Sequence, residues 1–394
     1  MPKILRIINR FNLGGPTYNA AYLTRYMPDN YETLLVGGHH TDSEEDSFHI
    51  TDQLGIQPIT IPEMMRDISI TSDGKAFQKI AKLIDWFKPD IVHTHASKAG
   101  ALGRLAAFRK NVPVVVHTFH GNVFHSYFNK AKTQAYITIE RQLAMRSSML
   151  VAISPLQKKE LTDTFKVANE DKVEVIPLGF DLDRFQLDQD FKRNRFRKYY
   201  NIDSDELAIG IIGRLVSIKN HALFLQVAKQ TLLKSKKKLR FLVIGDGELK
   251  KGLIEEAKQL KISVSESNRA KAEITFTSWI KDIDEAIAGL DIIVMTSKNE
   301  GTPVSLIEAQ AGNKAIVTTD VGGIKDIIIP DETGLVSPSE NEPLMVKNLM
   351  NIINDSDLRQ KMGNAGSKFV KNRFTYQRLA SDMDILYQKL LNGI

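Results

Sequence analysis

The sequence predicts an α/β protein made of two doubly wound, Rossmann-like domains in series, and three observations carry that prediction. At 394 residues the chain is too long for one ordinary core and suits two domains of roughly 180 residues. Short apolar, β-branched runs alternate with helix-length spacers, the pattern of right-handed βαβ crossovers and a parallel sheet covered on both faces. The rhythm stops at a polar, basic stretch and restarts after Asn201.

In chain order, the first-half strands are Ile4 to Ile8, then LLVGG, DIVHTH, VPVVVHTFHG, MLVAIS and KVEVIPLG, with a helix over Lys130 to Arg146 among the spacers. After the break come LAIGIIGRL, LRFLVIGDGE, AEITFTSWI and DIIVMTS. The expected division is a first domain over 1–185, a linker over 186–200 and a second domain over 201–374. A terminal helix over 375–394 carries an apolar stripe at Leu379, Met383, Leu386 and Leu390. In sheets of this kind ligands gather at the carboxyl ends of the strands.

The balance of 42% hydrophobic and 25% charged residues is that of a soluble globular protein. With no cysteine in the chain, disulfides, Cys-ligated zinc, iron–sulfur clusters and thiol nucleophiles are excluded. No apolar run approaches the roughly 20 residues of a membrane span. The start, MPKILRIINRFN, lacks a cleavage site and reads as a strand, not a signal peptide. A cytoplasmic location follows as an expectation.

The net charge of +6 favours acidic partners. Much of it lies in FKRNRFRKYY (Phe191 to Tyr200) and KSKKKLR (Lys234 to Arg240). The simple reading is solvated helix ends and a linker; peripheral contact with an anionic membrane is the sharper alternative. Nucleic acid is not an expected partner, since no zinc finger, RNP-type strand or long basic helix accompanies the charge.

The chemistry is concentrated in SKNEGTPVSLIEAQAGNKAIVTTDVGG, Ser297 to Gly323. DIIVMTS delivers a strand end to a loop. Thr302 suits an N-cap and Pro303 the first helical position. The amides of Val304, Ser305 and Leu306 then lack intrahelical partners and form a site for phosphate, with Gly301 and Thr302 leading into it. Glu300 precedes the cap and Glu308 lies inside the helix. Acids beside a phosphate point to hydroxyl partners, and phosphate with many hydroxyls describes a sugar nucleotide.

Gly213 to His221, GRLVSIKNH, follows a strand directly. Arg214 can grip phosphate oxygens bidentately and Lys219 adds a point charge. In NLGGPTYN, Gly14 and Gly15 permit close approach of backbone to a ligand; a plain turn is the alternative. GDGEL (Gly245 to Leu249) reads as a tight strand-to-helix connection, and Trp279 as either base contact or packing. His93, His95, His117, His120 and His125 cluster, but H-x-H at strand ends lacks the carboxylate geometry of a metalloenzyme motif. No metal and no cofactor are expected.

S-x-x-E-G-x-P-x-x-x-x-E-A over Ser297 to Ala309, T-D-x-G-G over Thr319 to Gly323 and G-R-L-x-x-x-K-N over Gly213 to Asn220 together resemble the retaining glycosyltransferases of family 4. Nearly the whole chain takes part, from Ile4 to about Leu391, with departures at Asn313 and Ala315, where the family usually has Gly and Pro. The resemblance implies the GT-B architecture, two such domains facing across a cleft, with the terminal helix crossing back to the first. It implies a nucleoside-diphosphate sugar donor, by default UDP-linked, held by Arg214, Lys219 and the Val304–Leu306 amides. Glu300 would hold the donor sugar and Glu308 the ribose. His120, in TFHG, would lie beside the transferred sugar, and Lys98 could face the acceptor. The branch most similar to this chain serves bacterial exopolysaccharide and lipid-linked oligosaccharide assembly, which implies a saccharide or lipid-linked acceptor at the inner face of the membrane. The same architecture also suits a sugar-nucleotide 2-epimerase or a non-catalytic sugar-nucleotide-binding protein.

Overall fold

A computed structural model describes residues 1–12, 15–39, 47–65, 67–121, 130–268 and 270–393. The chain forms two compact units: Met1–Phe180 with Arg373–Ile394, and Asp181–Asn372.

In the first unit the strands are β1 (Lys3–Arg10), β2 (Glu32–Gly38), β3 (Ile59–Thr60), β4 (Ile91–His95), β5 (Val114–Thr118), β6 (Met149–Ala152) and β7 (Val173–Val175). They lie in the order β3-β2-β1-β4-β5-β6-β7, every neighbouring pair parallel. The winding reverses between β1 and β4. Helices Ile70–Phe87 and Ser97–Arg109 cover one face. The other face takes the terminal helix Tyr376–Asn392: Leu379, Met383, Leu386 and Tyr387 share a core with Ile4, Ile91, Val114 and Val116. Thr375 caps that helix by accepting from the Arg378 amide.

The second unit repeats the scheme with β8 (Leu207–Ile212), β9 (Leu239–Ile244), β10 (Val264–Ser265), β11 (Ile274–Ser278), β12 (Ile292–Met295), β13 (Ala315–Asp320) and β14 (Leu335–Pro338). Their order is β10-β11-β9-β8-β12-β13-β14, again wholly parallel. Here the winding reverses between β8 and β12. Residues such as Ile209, Phe241, Val243, Ile274, Val294 and Val317 are buried in one core with the helices His221–Lys234 and Glu342–Asn354, which explains why the strands read as nearly unbroken apolar runs.

The segment 186–200, expected as a linker, is instead a packed helix, Gln189–Tyr199. Its basic charge is matched by acids distant in sequence. Lys192 pairs with Asp284 at 2.9 Å, Arg193 with Asp291 at 2.8 Å, Arg195 with Glu285 and Arg197 with Asp291 at 3.3 Å. Phe196 is 4% exposed and lies so close to Gly289 that a Cβ there would overlap its ring. The turn Asp183–Phe185 also belongs to the second unit, so the first closes at Phe180 and not at 185. In the second basic cluster Lys238 pairs with Asp205 at 2.7 Å, and the buried Arg240 meets Glu206 at 3.3 Å.

Asn313, one of the two departures from the family pattern, has φ 59°, a left-handed conformation that asparagine tolerates best after glycine. Among the described residues no helix is long and apolar enough to cross a membrane. Removing the Phe196 ring separates a packed helix from a linker: Phe196→Ala should destabilise the protein by about 3–5 kcal/mol in urea unfolding, whereas a linker phenylalanine would leave the midpoint unchanged.

Candidate functional site

In an open α/β sheet the crevice forms where neighbouring crossovers leave in opposite directions. In the second unit that point is the β8/β12 boundary, and both chemistry-bearing segments emerge there. After β12, the buried Thr296 and Ser297 lead into the acid loop. After β8, Gly213 and Arg214 lead through a short turn, Ser217–Lys219. The two loops are stitched together: the Thr296 hydroxyl donates to the carbonyls of Lys219 at 3.1 Å and Asn220 at 2.9 Å, and the Lys298 amide donates to Ile218 O at 2.8 Å.

The centre of this arrangement is Glu300, 9% exposed. Its Oε1 accepts from Lys219 Nζ at 2.5 Å and from Ser297 Oγ at 2.5 Å. Neither contact uses Oε2. Arg214 is exposed and has no ion-pair partner among the described residues, so its guanidinium remains available to an anion. Lys219 and Glu300, which sequence reasoning assigned to separate parts of a ligand, are in direct contact.

The T-D-x-G-G segment has a steric reason. Gly322 has φ 54°, and a Cβ on it would overlap the carbonyl oxygen of Glu300; a Cβ on Gly323 would overlap that of Gly301. The Gly323 amide donates to Glu300 O at 3.0 Å, and the Thr319 hydroxyl to Ser297 O at 2.7 Å. The loop after β13 therefore forms the floor on which the acid loop rests. Gly245 is similar: a Cβ there would overlap Gly213 O, which supports the structural reading of GDGEL.

The helix after the acid loop is Val304–Ala311, with Pro303 as its N-cap. This corrects the expected cap at Thr302. Pro303 has ψ 103°, still extended, so helical backbone begins one residue later. No side chain caps the helix. The Leu306 amide turns back to Pro303 O at 3.1 Å, while those of Val304 and Ser305, as first-turn groups, lack intrahelical acceptors. The expected cradle of three amides is therefore one of two. Glu308 has different surroundings from Glu300. Burial pushes its pKa up to about 7, with Arg184 opposing and Asp284 adding to the rise.

Beyond β9 and β11, Ser278 holds φ 59°, and its hydroxyl accepts from Lys250 Nζ at 2.6 Å. Trp279 is 44% exposed and so lies outside the buried core. In the first unit Gly15 opens the helix Gly15–Tyr26; Gly14 lies outside the described residues, as does His125. Lys98 is held by Asp73 at 2.5 Å and by Asp67 O at 2.5 Å, so its ammonium is occupied within its own unit.

His120 follows β5. Its Nε2 lies 2.9 Å from His95 Nδ1, and burial pushes its pKa down to about 3, which keeps the ring neutral. Among the described residues no group of three or more His, Cys, Asp or Glu is arranged to hold a metal ion. Sequence reasoning missed Ser297 as the second donor to Glu300, and the polar side chains behind His120.

Comparison with known proteins identifies the family and the fold. The family described as "Glycosyl transferases group 1" matches residues 192–369, and "Glycosyltransferase Family 4" matches residues 13–184. The chain is 27% identical over 351 residues to the UDP-Gal:alpha-D-GlcNAc-diphosphoundecaprenol alpha-1,3-galactosyltransferase of Escherichia coli, covering 88% of each chain. It is 27% identical over 332 residues to the capsular polysaccharide biosynthesis glycosyltransferase CapM of Staphylococcus aureus, covering 83% of this chain and 84% of that one. The fold matches that of Anabaena HepE, solved in complex with UDP, at TM-score 0.78 and 17% identity over 98% of this chain and 100% of that one. With two parallel doubly wound sheets and a family match over each half, the chain belongs to the family 4 type of glycosyltransferase, of GT-B fold.

Proposed function

We propose that the protein is a retaining glycosyltransferase that moves a hexose or N-acetylhexosamine from a UDP donor to a saccharide or lipid-linked acceptor in bacterial glycan assembly. The observation that carries this reading is the contact of the Lys219 ammonium with the buried Glu300 carboxylate at the β8/β12 switch point, with the exposed Arg214 on the same loop as Lys219. As the sugar–oxygen bond breaks through an oxocarbenium-like transition state, negative charge grows on the leaving diphosphate. Arg214, Lys219 and the amides of Val304 and Ser305 stabilise that growth. Lys219 is held in place by Glu300 Oε1, while Oε2 accepts from a donor-sugar hydroxyl. Glu308 accepts from the ribose, and His120 is assigned to the transferred sugar. The cationic side chains supply the charge that a metal would otherwise provide, so the reaction needs none. The UDP-bound state of HepE supports the donor. The diphosphoundecaprenol-linked substrate named for the E. coli relative supports a lipid-linked acceptor.

The decisive experiment incubates the protein with a panel of UDP-sugars and lipid-linked acceptors, with and without EDTA. Release of UDP with an α-linked product, unaffected by EDTA, is the expected result. An epimerised donor with no UDP release, or binding without turnover, would reject the reading.

Two further outcomes test the site. Arg214→Ala and Glu300→Gln should each lower kcat by about 10²–10³. Because Arg214 is exposed and has no ion-pair partner among the described residues, its variant should keep wild-type stability within about 0.5 kcal/mol; wild-type turnover in either variant would overturn the assignment. The Glu308 carboxyl, with its pKa near 7, is a carboxylate acceptor above that pH and protonated below it. Donor affinity in calorimetric titrations should therefore weaken as pH falls from about 8 to about 6, and Glu308→Gln should flatten the profile.

A further inference from the structure

Behind His120 lies a buried polar cluster that the proposed mechanism does not use. His93 Nδ1 lies 2.6 Å from the Tyr387 hydroxyl and its Nε2 lies 2.7 Å from Thr118 Oγ1. His117 Nδ1 lies 2.8 Å from Thr94 Oγ1. Arg6 is fully buried on β1, where its guanidinium meets the Tyr387 hydroxyl and pairs with no carboxylate among the described residues. It lies opposite His93 of β4, whereas His120 follows β5, on the far side of β4 from β1. Arg6 therefore stands on the His95 side of the His95–His120 pair.

The valence of the two rings fixes the protons. Each neutral imidazole has one N–H and one bare nitrogen, and the 2.9 Å contact between His95 Nδ1 and His120 Nε2 holds one proton. Of the two outer nitrogens, His95 Nε2 and His120 Nδ1, one must then carry hydrogen and the other a lone pair. Both are buried and unpartnered among the described residues. Passing from the form with hydrogen on His95 Nε2 to the form with hydrogen on His120 Nδ1 moves both ring protons away from Arg6. The Coulomb term of a buried cation favours that direction. A bare nitrogen on the Arg6 side is stabilised, and His95 donates to His120.

We infer that His95 is a positioning residue that locks His120 in the Nδ1–H tautomer, so that the ring offers a neutral hydrogen-bond donor to a saccharide oxygen instead of acting as a base. This rests on the reading of His120 as a ligand contact. Orphaned buried N–H groups are rare in folded proteins, and a ligand oxygen is the partner that completes this one. Burial keeps the ring neutral, so the donor is not converted to imidazolium near neutral pH.

The test reads the tautomer directly. Long-range 1H–15N correlation spectra of the full-length protein, with His120 assigned through His120→Gln, should show His120 protonated at Nδ1 and bare at Nε2. His95→Leu removes the donor; His120 should change to the Nε2–H form and kcat/KM for the donor should fall roughly tenfold, the worth of one hydrogen bond. His95→Asn places an amide N–H near the former Nδ1 and should restore both readouts. A wild-type His120 protonated at Nε2 would overturn the inference, as would an unchanged tautomer in His95→Leu. If His95→Leu does not fold, the wild-type and His95→Asn spectra decide. The tautomer is read without substrate, so failure of the transferase reading and failure of this inference remain distinguishable.

Discussion

The contact between Lys219 and Glu300 is the constraint around which the second unit's site is built. Its side chains are 22% and 9% exposed, so desolvation offsets much of the Coulomb attraction. The value of the pair is geometric. It joins the loop after β8 to the loop after β12, and the glycine pair after β13 supports it from below. With both hydrogen bonds on one carboxylate oxygen, the other keeps a fixed direction. A charged group held this way undergoes little reorganisation when charge develops nearby, which is the condition for effective electrostatic stabilisation.

The first unit solves a different electrostatic problem. Its imidazoles are buried at the ends of β4 and β5, and their pKa values are pushed down by desolvation. With no carboxylate paired to Arg6 among the described residues, the neighbourhood is positive, and neutral rings are the stable form. The second unit thus works through paired charges, the first through neutral groups oriented by one fixed charge.

Much of this was legible in the sequence where the signal is local. Strand runs such as DIIVMTS and LRFLVIGDGE announced themselves because both faces are buried, and the contact of Glu300 with Lys219 joins two short motifs that were visible beside strand ends. What escaped was non-local. The helix Gln189–Tyr199 looked like a linker because its acids, Asp284, Glu285 and Asp291, lie some 90 residues away. The role of Gly322 depends on the backbone of Glu300, and no pattern within either segment reveals it. The cap moved from Thr302 to Pro303 because proline fixes φ but leaves ψ free to remain extended. Arg6 within an apolar strand gave no hint of the tyrosine that arrives with Tyr387.

The late arrival of Tyr387 has a consequence for biosynthesis. Segments 1–180 and 376–392 share one core, while the intervening residues 181–372 form a self-contained unit. On the ribosome the first sheet emerges early yet lacks the helix that covers its Ile4, Ile91 and Val116 face. That face stays open while nearly 200 further residues are translated, at rates of about 5–20 residues per second. The middle of the chain can thus reach its native state before the beginning does, and the exposed sheet is the natural client for a holdase during the interval.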